Sequence, residues 1–123
     1  MSEYEILDLV ASNGESLSSS FSVYLSLMSA YLAVGYLVGA KLSKAQFICL
    51  SLLFFYGAGG QALGQFNINT QNAELFARLA EIRALNAFES QYVANGMTWS
   101  AVMALGVIAA LIYMWSVRRP KSG

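Results

Sequence analysis

The sequence predicts an all-α membrane protein with three transmembrane helices, a short N-terminal interfacial helix, and an amphipathic extramembrane helix between spans two and three. Three observations predict it. First, 57% of the 123 residues are hydrophobic and 11% charged, whereas about a quarter of a soluble domain is charged. A domain this small has too little volume for its surface to hide that much apolar material from water. Second, the seven basic and seven acidic residues leave three charge-free gaps, Glu15 to Lys41, Lys44 to Glu74 and Glu89 to Arg118. About 20 apolar residues in helical form cross a bilayer, so each gap holds one span, at about 17–40, 45–66 and 98–117. Third, the short alternating segments of a membrane β-barrel are missing. The chain is one membrane domain.

From the N-terminus, Ser2 and Glu5 are spaced as a capping box that starts a helix. The apolar Ile6, Leu7, Leu9 and Val10 follow, and Ser12-Asn13-Gly14 reads as a stop. This predicts a two-turn interfacial helix and turn over 1–16. Ser12 and Glu15 repeat the box and are expected to start span one. An acidic flank and a long apolar run argue against a cleaved signal peptide. The 41–44 link is so short that spans one and two are expected to pack antiparallel.

The segment 67–97 is the longest stretch between spans. Asn67-Ile68-Asn69-Thr70 is turn-like and Asn95-Gly96 resembles a helix stop, so one helix is expected over 72–94. Leu75, Leu79, Ile82 and Val93 share one face, and Ala73, Ala77, Ala80, Ala84 and Ala87 share the opposite one. The alanine face is either an exposed surface built from the best helix former or a contact for another helix. An unbroken helix of this length, lying flat, would hold spans two and three apart; a break near Asn86 would not.

Lysine and arginine set the orientation. Lys41 and Lys44 in the link, and Arg118, Arg119 and Lys121 in the 118–123 tail, belong in the cytoplasm by the positive-inside rule. The N-terminus and the 67–97 loop are then outside. Trp99, Tyr113 and Trp115 suit the aromatic belts at the two interfaces.

Within the spans, small and polar residues fall in rows. Span one carries Ser22, Ser26 and Ser29, with Gly35 and Gly39. Span two carries Gly57, Gly60 and Gly64 beside Gln61 and Gln65, and span three carries Gly106 and Ala110. Such rows let helix backbones approach closely, with Ser and Gln hydrogen-bonding across the contact. Packing within one subunit is the preferred expectation and self-association the second. The two glutamines form either a polar clamp between helices or a ring of amides lining a pore.

Several chemistries are not expected. Without His, and without an acid or base inside any span, the proton relays and ion-coupling carboxylates of transporters are missing. One Cys and no His make no metal, haem or iron–sulfur site. No GxxxxGK[ST], HExxH or GxSxG motif occurs. The chain is therefore expected to be no enzyme, to carry no cofactor or metal, and to bind no nucleic acid.

Four segments together carry a resemblance: Ser2-Glu3-Tyr4-Glu5-Ile6-Leu7-Asp8, Ser29-Ala30-Tyr31-Leu32, Gly39-Ala40-Lys41-Leu42, and Met114-Trp115-x-x-Arg118-x-Pro120-Lys121. In these the chain resembles uncharacterised small three-span inner-membrane proteins of Gram-negative bacteria. The likeness covers spans one and three and the tail. It implies the three-span topology and a bacterial inner membrane, and no activity.

The expected function is non-enzymatic helix–helix association in the bilayer, as an accessory subunit of another membrane protein or as a small homo-oligomer. The alternative is an oligomeric pore or holin-like permeabiliser. Class I holins are similar in span count, orientation and basic tail, but rarely carry a long helix between spans two and three.

Overall fold

A computed structural model describes residues 2–118; the tail residues Arg119, Pro120 and Lys121 lie outside the described residues. Three long helices run α1 (Glu3–Val38), α2 (Lys44–Ile82) and α3 (Ala87–Arg118), with a 3₁₀ turn at Gly39–Lys41. Each is long and apolar enough to cross a membrane. They pack as an up-down-up bundle in which every helix touches the other two. All seven acidic residues fall in 3–15 and 74–89, at what we term the acidic end; Lys41, Lys44 and Arg118 mark the basic end.

Local chemistry places each helix end. The Ser2 Oγ accepts from the Glu5 amide at 3.2 Å and caps α1. At the basic end Ser43 and Gln46 cap each other's backbone amides and start α2. At the acidic end Arg83 is extended and stops α2. Asn86 and Glu89 then form a second reciprocal box, at 2.8 and 3.1 Å, that starts α3. The chain reverses within 83–86.

Two expected elements do not form as separate helices. Residues 3–11 are the first turns of α1, which continues helical through Ser12-Asn13-Gly14. The expected 72–94 helix is divided: its first half ends α2 and its second half starts α3. The reversal lies where the alternative break near Asn86 was expected, so spans two and three are direct neighbours. Asn67–Thr70 and Asn95-Gly96, expected as a turn and a stop, are helical too.

The reason is shared. In each polar interruption one residue takes part in a hydrogen bond to a neighbouring helix. Asn13 donates to Asn72 at 2.8 Å. Asn69 donates to the Gly96 carbonyl at 3.0 Å and to Ser100 at 3.1 Å. These contacts compensate the modest helix propensity of Asn and Gly.

Two apolar clusters fill the bundle. The larger lies along the spans, around Tyr24, Tyr31, Phe54, Ala58, Met103 and Met114; Tyr31 and Phe54 stack with centroids 4.1 Å apart. The smaller joins Ile6, Phe76 and Leu79 at the acidic end, with Tyr92 and Val93 against it. Helices of 36, 39 and 32 residues are about 50 Å long or more at 1.5 Å per residue. Hydrocarbon accounts for about 30 Å of that. The second cluster is thus the core of a three-helix stalk continuous with the spans.

Candidate helix-association site

The small residues divide into two groups, and the division defines the site. In the first group they serve packing inside the subunit. A Cβ on Gly35 would lie 3.1–3.2 Å from Met114 and Tyr113, and one on Gly39 would lie 3.2 Å from Val117. Gly57 faces Leu27 with only 2.9 Å available, and Gly106 receives the Tyr24 hydroxyl. That hydroxyl donates to the Met103 carbonyl at 2.8 Å. Ala110 is buried in the main cluster. Here small side chains bring α1 against both neighbours, as expected for close backbone approach.

The two glutamines also work inside the subunit. Gln65 is 6% exposed and donates to the Leu17 carbonyl at 2.7 Å. Gln61 accepts from Ser20 at 2.6 Å. Tyr31 and Ser51 share a hydrogen bond at 2.7 Å. With Asn13–Asn72 these bonds form a polar seam between α1 and α2. Interhelical bonds of this kind contribute about 0.6 kcal/mol each on average.

In the second group the small residues face away from the subunit, contrary to packing within it. A Cβ on Gly60 or Gly64 would meet nothing within 4 Å. Positions 57, 60, 61 and 64 share one helix face. Because Gly57 and Gln61 touch α1, Gly60 and Gly64 flank that contact on its outside. Ser22, Ser26 and Ser29 are exposed as well, and Ser26 satisfies its own hydroxyl on the Ser22 carbonyl at 3.0 Å.

The exposed surface of α1 is unlike that of its neighbours. Between Ser12 and Ala33 it presents serines, alanines and Glu15, with Val23 and Leu25 the large apolar residues among them. Over a comparable length α2 exposes Leu52, Leu53, Phe55, Tyr56 and Leu63, and α3 exposes Val102, Leu105, Ile108 and Ile112. A groove lined by Ser12, Ser16, Ser19 and Ser20, with Glu15, Val23 and Gln61, runs between α1 and α2 on this side.

The alanine and leucine faces expected on one loop helix are distributed over two. Leu79 is fully buried and Leu75 packs beside it in the acidic-end cluster, whereas Ile82 is exposed. Ala77 and Ala80 are exposed on α2, Ala73 is half-buried, Ala84 lies in the reversal and Ala87 opens α3. No single alanine surface results.

Two features were missed in the sequence. One is the inward role of Asn13, Asn69, Asn72 and Ser100; Asn13 and Asn69 fall in expected breaks, and Asn72 at the start of the expected loop helix. The other is an ion cluster at the reversal. Arg83 grips Glu89 with both ends of its guanidinium, at 2.7 and 2.8 Å, and reaches Glu3 at 2.6 Å. Hydrogen bonds from Arg83, and then from the Asn86 amide, hold the Glu89 carboxyl down at about 2. Both carboxylates in turn push the Arg83 pKa up. The spacing Asn86-x-x-Glu89 was the available signal, the same box pattern that marks Ser2.

Compared with known protein families, curated proteins and solved structures, the chain has no match.

Proposed function

We propose that the chain is a non-enzymatic, multi-pass protein of the bacterial inner membrane that acts by helix–helix association with a second copy of itself. The N-terminus and the 83–86 reversal face outward, and the basic end is cytoplasmic. The observation that carries this reading is the α1 surface: hydroxyl and methyl groups stand where the other two helices expose large apolar side chains. Against lipid such a surface gains little, while against another helix it permits close approach and interhelical hydrogen bonds. Gly60 and Gly64, with open space around them, widen the same surface onto α2.

An accessory-subunit role would use the same face against a different membrane protein. A pore would need its amides free to face a lumen. Gln65 is instead buried against Leu17, and Gln61 is engaged by Ser20, which supports a clamp.

Single cysteines in a Cys49→Ser background test the reading. Ser19→Cys and Ser26→Cys are expected to cross-link two copies in native membranes, while Leu105→Cys and Ile112→Cys are not. A strict monomer in mild detergent, together with no cross-link from the α1 face, would overturn it.

A further inference from the structure

Three tyrosines lie deep in the spans, and one of them differs from the others. Tyr24 and Tyr31 are buried and use their hydroxyls inside the subunit, on the Met103 carbonyl at 2.8 Å and with Ser51 at 2.7 Å. Tyr56 is 76% exposed and makes no hydrogen bond among the described residues; its ring stands edge-on to Phe55, centroids 6.1 Å apart. It sits at the middle of span two, so each interface is about 15 Å away along the helix at 1.5 Å per residue. From there the side chain does not reach water, and hydrocarbon offers its hydroxyl no partner. An outward tyrosine at this depth points to a protein surface, not to lipid.

Two observations place a matching group. The first is depth. Phe54 stacks on Tyr31 and Gly57 abuts Leu27, so Tyr56 is level with the stretch of α1 that carries Ser26 and Ser29. The second is side. Tyr56 precedes Gly60 by one turn, in the row that flanks the α1 contact on its outside. On α1 the groove includes Ser19 and Val23, and Ser26, seven and three residues further on, continues the same face. Ser26 is exposed. Its proton goes to the Ser22 carbonyl at 3.0 Å, which leaves its oxygen free to accept.

Within one subunit Tyr56 and Ser26 stand on neighbouring helices and face the same way. Two copies inserted in the same direction are related by a two-fold axis along the membrane normal, which keeps every residue at its depth. An α1 helix of a second copy, lying along the groove, brings its Ser26 to the level of Tyr56, and the symmetry makes that contact twice.

We infer that Tyr56 sets the register of the association: its hydroxyl donates to Ser26 Oγ of the second copy, and the reciprocal bond is made across the axis. This rests on the reading that two copies associate through α1. It adds the residue that distinguishes a second copy from lipid or from an apolar helix without a hydroxyl at that depth.

The test uses the full chain with Cys49→Ser and Glu81→Cys, labelled at the outer end with donor or acceptor dye and mixed in liposomes. Energy transfer then reports association as lipid is added. Tyr56→Phe and Ser26→Ala are each expected to raise the dissociation constant about eightfold, the factor for two bonds of the strength typical between membrane helices. Together they are expected to raise it no further. The thermal stability of detergent-solubilised Tyr56→Phe monomer should equal that of the parent protein. Effects that multiply in the double variant, or a Tyr56→Phe pair as tight as the parent, would overturn the inference and leave association through α1 standing. A loss of monomer stability in Tyr56→Phe would assign the hydroxyl to the subunit and overturn it as well. A parent protein without energy transfer at any dilution would overturn both.

Discussion

Tyr24 of α1 reaches across to α3 and donates its hydroxyl to the Met103 carbonyl at 2.8 Å, filling the space that a side chain at Gly106 would need. The two positions are coupled through that one oxygen atom. Gly106→Ala is expected to destabilise the fold by about 1–3 kcal/mol, the range for overpacking a filled core. In a Tyr24→Phe background the same substitution should cost clearly less, because the obstructing atom is gone. A double-mutant cycle of thermal unfolding in detergent measures the coupling. Additive effects would contradict it.

Gly96 and Gly59 provide a matched pair of glycines inside helices. A Cβ at 96 would displace the Asn69 amide, whereas one at 59 would meet nothing within 4 Å. Gly96→Ala should lower the melting temperature through loss of the Asn69 bonds, despite a gain of about 1 kcal/mol in helix propensity. Gly59→Ala should leave it unchanged or raise it. Equal melting temperatures for the two variants would be the contrary result.

Gly60→Leu distinguishes the fold of one subunit from its association. With open space at this position, the thermal stability of detergent-solubilised monomer should be unaffected. Cross-linking through Ser26→Cys should fall sharply, because the leucine stands on the proposed contact. Gly57→Leu, facing Leu27, should instead unfold the subunit. Loss of monomer stability in Gly60→Leu would show that the exposed row is structural.

The Arg83–Glu89 pair predicts an acid limit. The folded-state pKa of Glu89 is held near 2, below its ordinary 4.5. Its contribution is fully present above 4.5 and fades as pH falls through about 2, since protonation then costs the native contacts. Between these values wild-type protein should lose stability faster than Glu89→Gln, in which the titrating group is gone. Parallel melting curves over that interval would exclude the carboxylate as the cause. Glu3 on the opposite side of Arg83 is exposed, where solvent and salt screen the pair.

The three helices were legible because charge is scarce and its gaps match the bilayer thickness. Their ends were not, and the reason is specific. Asn13, Asn69, Asn95 and Gly96 have the composition of helix punctuation, and in an isolated helix they would act as such. Here Asn13 and Asn69 spend their amides on a neighbouring helix, and Gly96 makes room for one of them. Only the neighbour's presence distinguishes a contact from a stop. The same limit applies to the glycine rows. Gly35 with Gly39 and Gly60 with Gly64 have identical spacing, yet one pair faces α3 and the other faces outward. Spacing reports that close approach is permitted, not which partner takes it. The Asn86–Glu89 box was the one missed element whose signal was wholly local.

The chain folds back on itself in very few residues: Leu42 and Ser43 beyond the 3₁₀ turn at one end, and 83–86 at the other. Between residues 3 and 118 no long loop separates the helices. The acidic and basic ends are therefore joined by three uninterrupted helices.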